Sequence, residues 1–299
     1  MRPHAFAPSP VLRFAPSPNG ALHLGHAYSA LCNERIAAEL GGRLLLRIED
    51  LDRTRCKPRY EAAILDDLAW LGLRFEAEPR RQSEHGDDYA KALARLDAEG
   101  LVYPCFCSRA EVARASAARD PDSAPLYPGT CRALSCGDRA RRLARGDKLA
   151  LRLDMRRAIA SGPARIAWSE FGEGSNPIER AAEPALWGDV VLAGRDLAAS
   201  YHLAVTVDDA LQGVSDVVRG RDLMSATSVH RLLQELLGLP APRYRHHRLV
   251  LDLTGAKLSK SRQSPTLAAL REKGASATQI RTALGFGGGD GAGLSIALN

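Results

Sequence analysis

VLRFAPSPNGALHLGHAYSALCNERIAAELGGRLLLRIED, residues 11–50, carries the pattern from which the fold can be read. Val11 to Ala15 is a short apolar run that predicts a buried strand, and Pro16 and Pro18 keep the following chain extended. Asn19-Gly20 then supplies a turn. From about Leu24, the residues Ala27, Ala30, Leu31, Ile36, Ala37 and Leu40 recur at helical spacing until Gly41-Gly42 stops the run. Arg43 to Ile48 reads as a second strand that ends in Glu49-Asp50. Strand, helix and strand in so short a span make a βαβ unit, which predicts a parallel sheet with its ligand at the strands' carboxyl ends.

Outward from this unit, helical patterns cover 59–71 and 87–99. Between Cys105 and about Glu183 the periodicity weakens, which marks an inserted subdomain. Strand signals return at 201–207 and 214–218, and a helix over 227–237 closes before Gly238-Leu-Pro240. The strand-like RLVLD (248–252) precedes the KLSKS loop (257–261), two short helices near 266–273 and 276–284, and a glycine-rich tail (285–293) read as mobile. The expected fold is α/β: a Rossmann-like parallel-sheet domain interrupted by a small insertion and followed by a short, mainly helical C-terminal domain. The corresponding divisions are 1–104 and 187–240 for the two halves of the sheet domain, 105–186 for the insertion, and 241–299 for the C-terminal domain with the KLSKS loop.

The chain has 299 residues, 45% apolar and 25% charged, an ordinary balance for a globular protein. No stretch approaches the ~18–20 uninterrupted apolar residues of a membrane span. The start, MRPHAFAPSP, has no apolar core of a secretory signal, so a cytoplasmic location is expected. Six cysteines then read as thiols or metal ligands and not as a disulfide framework. A net charge of +6 fits a polyanionic partner and equally fits a solvated basic surface. Of 41 basic residues only six are lysine, and two of those six fall in Lys257-Leu-Ser-Lys260. No assembly motif is evident, and a monomer is the default.

His23 and His26 lie one turn apart at a helix start, where backbone N–H groups and the dipole attract phosphate and imidazole N–H groups can hold its oxygens. Gly25, without a side chain, lets a flat base approach the backbone. Lysine is a compact, mobile point charge suited to a phosphate whose charge moves during displacement. Either motif alone has a bland explanation, two structural histidines or a solvated basic loop. Together, His-x-Gly-His and Lys-x-Ser-Lys resemble the paired fingerprint of class I aminoacyl-tRNA synthetases. RFAPSPNGALHLGH (13–26), LRIED (46–50), Cys105-x-Cys107, Tyr201-x-Leu-Ala with Asp208-Asp209, VVRGRDL (217–223) and KLSKS resemble the glutamyl-tRNA synthetase family.

The resemblance implies ATP-dependent activation of glutamate to glutamyl-adenylate, with Mg2+ accompanying the ATP. It assigns His23, His26, Lys257 and Lys260 to catalysis, and His23, Gly25, His26 and Lys260 to ATP. It gives the glutamate site to Arg13, Phe14, Ala15, Pro16, Ser17, Glu49, Tyr201 and Arg219. Chemistry agrees, since free glutamate carries two carboxylates and an ammonium: Arg13 and Arg219 are the two cationic forks, Glu49 the ammonium partner, and Tyr201 and Ser17 further hydroxyl contacts. A family member of this length without an anticodon-binding domain resembles the branch that passes glutamate to the queuosine of tRNA(Asp) at the anticodon wobble position. A truncated glutamyl-tRNA synthetase charging the tRNA(Glu) 3′ end shares every active-site residue. A non-catalytic tRNA-binding protein on the same scaffold is a further alternative, and a small-molecule nucleotidyltransferase is disfavoured by KLSKS.

Cys105, Cys107, Tyr127 and Cys131 match the family's zinc pattern, Cys-x-Cys followed by Tyr-x-x-x-Cys, for one structural Zn2+. A phenolate is an unusual ligand, so Cys136 stays open as the alternative fourth donor. Cys32 and Cys56 read as incidental.

Overall fold

The computed structural model describes residues 9–172, 176–251, 258, 265–287 and 297–298. The first unit runs β1 (Val11–Phe14), α1 (Leu24–Glu39), β2 (Arg43–Ile48), α2 (Pro58–Trp70), β3 (Arg80–Arg81) and α3 (Gly86–Ala98). β1 pairs in parallel with β2, and β2 with β3. α1 lies over this sheet through Ala27, Ala30 and Leu31, all fully buried. It ends where Gly41 takes φ +60°, a left-handed conformation that glycine adopts without strain.

The middle of the chain supplies β4 (Val102–Cys105), α4 (Arg109–Ala115), α5 (Cys136–Ala144), β5 (Ala150–Leu153), α6 (Met155–Ser161), β6 (Ala167–Glu170), β7 (Ile178–Ala181) and β8 (Val191–Ala193). β4, β5 and β8 form an antiparallel sheet, order β4-β5-β8. Asp189 ties this region together, accepting from Tyr103 Oη (2.5 Å), Arg132 Nη1 (2.6 Å) and the Met155 amide (3.0 Å).

There follow α7 (Tyr201–Leu211), β9 (Asp216–Gly220), α8 (Thr227–Leu237), β10 (Arg243–His247), β11 (Val250–Leu251), α9 (Leu267–Glu272), α10 (Ala277–Ala283) and β12 (Ala297–Leu298). β9 and β10 are parallel, and β6 and β7 extend their sheet in the order β7-β6-β10-β9. The stretch expected as an insertion therefore contributes two strands to the sheet of the second half.

The two sheets meet along β1 and the approach to β9. The Val11 amide donates to Ser215 Oγ (2.9 Å), and the Ser215 amide to Val11 O (3.0 Å). Buried Asn33 of α1 crosses this seam, donating to Val218 O at 3.1 Å. From the seam the order runs outward as β1-β2-β3 on one side and as β9-β10-β6-β7 on the other. Such a reversal opens a crevice at the strands' carboxyl ends, the usual ligand position in open α/β sheets.

Two expectations need correction. Residues 201–207 are helical, not a strand: Ser200 caps α7, its hydroxyl accepting from the Leu203 amide (3.4 Å), and Leu203 to Asp209 are all buried. A short apolar run buried all round has no period that separates helix from strand. The strand of RLVLD is only Val250–Leu251, and the longer strand precedes it as RYRHH, residues 243–247, whose polar sequence hides a buried Tyr244. The KLSKS lysines and most of the glycine tail lie outside the described residues. Among the described residues no helix is long and apolar enough to cross a membrane.

Candidate active site

A cavity of about 490 Å³ opens at the carboxyl ends of β1 and β9. It brings together all the described residues proposed from sequence for ATP and glutamate: Arg13 to Ser17, His23, Gly25, His26, Glu49, Tyr201 and Arg219.

The two histidines cap their own helix. The Gly25 amide donates to His23 Nδ1 (3.1 Å), and the His23 amide to His26 Nδ1 (3.2 Å), a reciprocal capping box. Because both Nδ1 atoms accept backbone hydrogens, each neutral ring carries its hydrogen on Nε2. The ring centroids stand 3.9 Å apart, so the helix start carries two imidazoles side by side. A Cβ on Gly25 would lie 3.0 Å from His23 Cε1, so a bare residue is needed for this ring position. Thr266 forms a bridge with His23, the Leu267 amide donates to Leu22 O (2.9 Å), and buried Leu258 lines the cavity.

The other end of the cavity holds two anchored guanidinium groups. Arg13 grips Asp209 with Nε (2.9 Å) and Nη2 (3.3 Å), and its Nη1 makes no hydrogen bond to protein among the described residues. Asp209 also accepts from Arg47 Nη2 at 2.6 Å, while neighbouring Asp208 accepts from Arg80, Gln82 and Tyr89. Burial works against the Asp209 charge, but Arg13 and Arg47 outweigh it and hold the carboxyl below its usual range.

Arg219 is fixed by four contacts. Nε donates to His246 Nε2 (3.1 Å), Nη1 to Tyr201 Oη (3.3 Å) and His230 Nδ1 (3.2 Å), and Nη2 to Thr227 Oγ1 (2.7 Å). His246 Nδ1 is 2.7 Å from Glu170 Oε2, and His230 Nε2 is 3.2 Å from His202 Nδ1. One tautomer set satisfies the network: hydrogen on Nδ1 of His246, and on Nε2 of His230 and His202. Burial, reinforced by the Arg219 charge, lowers His202 to about 4 and His230 well below the usual range, so these rings stay neutral acceptors.

Glu49 faces the same space. Burial pushes its carboxyl up to about 7 despite the opposing Arg47 and Arg13 charges. A binding ammonium group would favour its ionised form.

Away from the cavity, the Sγ atoms of Cys105, Cys107 and Cys131 all lie within 4.8 Å of one another. Tyr127 Oη is 3.9 Å from Cys107 Sγ and accepts from the Cys131 amide at 2.7 Å. The Phe106 amide donates to Cys131 Sγ at 3.3 Å. Burial and the adjacent sulfurs push the Cys107 thiol up to about 12, whereas at Cys131 the hydrogen bonds from the Phe106 amide, Tyr127 and the neighbouring sulfurs outweigh burial and lower the thiol below its usual range. Cys136 is exposed at the start of α5, outside this group.

Comparison with known proteins gives these sites a family. A model described as tRNA synthetases class I (E and Q), catalytic domain, matches residues 11–288. The chain belongs to this family. It is therefore a class I aminoacyl-tRNA synthetase-like ligase by descent, and the two-motif resemblance has its explanation. The Glutamyl-Q tRNA(Asp) synthetase of Rhodobacter capsulatus is 45% identical over 92% of this chain and 100% of its own length. The protein of that name from Symbiobacterium thermophilum is 43% identical over 88% of this chain and 82% of its own. A glutamate tRNA ligase from Elizabethkingia meningosepticum, solved in complex with its amino acid, superimposes with a TM-score of 0.73 at 26% identity. The match covers 92% of this chain and 60% of the ligase.

Sequence reading missed the scaffold behind the forks: Arg47, Asp208, His202, His230, His246 and Glu170. One signal was present, because charged residues inside apolar elements, Arg47 within RLLLRI and Asp208-Asp209 at the end of an apolar run, must find partners when buried.

Proposed function

We propose that this cavity activates glutamate with ATP and that the chain passes the glutamyl group to the queuosine of tRNA(Asp), in the cytoplasm and as a monomer. The observation that carries this reading is the composition of one cavity: two anchored guanidinium groups, one carboxylate and a pair of imidazole donors at a helix start. The forks suit the two carboxylates of glutamate, Glu49 suits its ammonium, and the histidines suit phosphate oxygens. The names of the relatives point to the acceptor.

In the proposed reaction a carboxylate oxygen of glutamate attacks the α-phosphorus of ATP. The bond to the bridging oxygen breaks, and pyrophosphate departs with the electron pair. His23 and His26 hold phosphate oxygens through Nε2–H as charge shifts, and Arg13 and Arg219 orient the attacking amino acid. Lys257 and Lys260, which lie outside the described residues, are assigned to the same phosphates by their motif; Leu258 between them lines the cavity, which supports this. Magnesium bound to the nucleotide neutralises phosphate charge.

Transfer of labelled glutamate tests the acceptor. Label is expected on tRNA(Asp) and absent when the same tRNA lacks queuosine. Label on tRNA(Glu) instead would establish the 3′-charging alternative.

The carboxyl of Glu49 gives a pH prediction. Because its pKa is higher folded than unfolded, Glu49 favours the fold below about 4.5, and that contribution is lost as pH rises through about 7. Ligand binding runs the other way, since the ammonium needs the ionised carboxylate. Glutamate affinity by calorimetry should fall by up to about tenfold per pH unit below 7 and level off above. Glu49→Gln should remove the slope; an unchanged slope would exclude Glu49 as ammonium partner.

Cys105, Cys107, Cys131 and Tyr127 would hold one structural zinc, whose bonds pin a small cluster built on Tyr103, Phe106 and Val112. Elemental analysis should find about one zinc per chain. Chelation should lower the thermal midpoint reversibly, and Cys107→Ala should abolish retention while Cys136→Ala does not.

A further inference from the structure

A second, shallower groove of about 360 Å³ lies beside the cavity, lined by Asn19, Arg55, Lys57, Arg59 and Tyr60. Asn19 belongs to both walls, so the two spaces adjoin. The groove is built on the segment that runs from β2 into the first turn of α2, where Arg53, Arg55, Lys57 and Arg59 alternate and are all exposed.

This segment is held against the cavity at two points. The Lys57 amide donates to Pro18 O (3.0 Å), and Cys56 Sγ to Glu49 O (3.7 Å). Asp52 stiffens the turn between them, accepting from Thr54 Oγ1 (2.5 Å) and Arg55 Nε (2.5 Å). Asp52 neutralises Arg55, whereas Arg53, Lys57 and Arg59 form no ion pair among the described residues. The Arg59 guanidinium lies 5.0 Å above the Tyr60 ring and its Nη2 donates to Tyr60 Oη (3.4 Å), so an aromatic ring backs the cations that line the groove. A row of unneutralised charge on an anchored segment, backed by an aromatic ring, fits a sugar-phosphate backbone better than a single small anion.

We propose that this groove binds the tRNA phosphodiester backbone next to the nucleoside that enters the cavity, with Lys57 and Arg59 on successive phosphates. This rests on the tRNA-directed reading above. The groove then sets acceptor affinity and leaves glutamate activation untouched.

The test uses the full chain and the double variant Lys57→Ala/Arg59→Ala, with Arg114→Ala as a remote surface control. Glutamate-dependent ATP–pyrophosphate exchange is expected to stay within about twofold of the parent, which also shows the variant is folded. Binding of tRNA at several salt concentrations should weaken by roughly tenfold at low salt, with a log–log salt slope shallower by about two. Transfer should fall in parallel, through the KM for tRNA. Equal slopes for parent and double variant, or a loss confined to the KM for ATP or pyrophosphate, would overturn the proposal. The slope is read from binding and the acceptor from transfer. Label appearing on a different tRNA would therefore refute the acceptor while leaving the slope comparison, run on that tRNA, to decide the groove.

Discussion

Asp209→Ala is expected to destabilise the protein by about 3–5 kcal/mol, because it leaves two buried guanidinium groups without their shared carboxylate. Arg13 and Arg47 are 4% and 0% exposed, so water replaces the lost contacts poorly. Neither arginine can escape by losing its proton. Asp209→Asn keeps acceptor oxygen at the same place and should cost less, and Arg47→Met combined with Asp209→Ala should recover part of the loss. Denaturant midpoints at constant slope measure each value. A change under about 1 kcal/mol for Asp209→Ala would show that the network contributes little. The same network fixes an acid limit. A carboxyl depressed in the fold stabilises it above the unfolded value, and that stability is lost as pH falls through the folded value.

The largest catalytic effect is expected at Arg219. Truncation to alanine removes a buried fork from the glutamate site and should lower kcat/KM for glutamate in exchange by roughly 30-fold or more, the equivalent of about 2 kcal/mol or above. Lysine should not rescue it. Its point charge cannot serve His246, Tyr201, His230 and Thr227 at once, as the planar guanidinium does. Glu170→Ala acts one step back, freeing His246 and with it the orientation of Arg219, so it should raise the KM for glutamate more than it lowers kcat. A folded Arg219→Ala variant with parental kcat/KM would remove Arg219 from the site.

The βαβ unit was legible because each of its signals agreed: apolar strands, prolines and Asn-Gly at the first turn, helical spacing, and paired glycines at the stop. The early members of the cavity were legible for the same reason, since Arg13, His23, His26 and Glu49 all flank the ends of those elements. Residues 201–207 were misread because valine and threonine in a fully buried segment carry strand propensity, and tertiary burial overrode it. The partners of Arg219 were illegible for another reason. His246 and Glu170 lie 76 positions apart and meet only because β6 joins β10 in parallel, a pairing no local pattern records. The thiol cluster was read from spacing, and the fold supplied what spacing could not, the position of Tyr127 beside the sulfurs.

Glutamate-dependent ATP–pyrophosphate exchange by the intact chain, with and without tRNA, tests most directly whether one cavity joins the two substrates. Exchange is predicted to require glutamate and to be lost in Lys260→Ala and His26→Ala variants that keep the parental thermal midpoint. No exchange from the folded, zinc-replete parent under either condition, or equal exchange with aspartate or glutamine, would contradict the assignment.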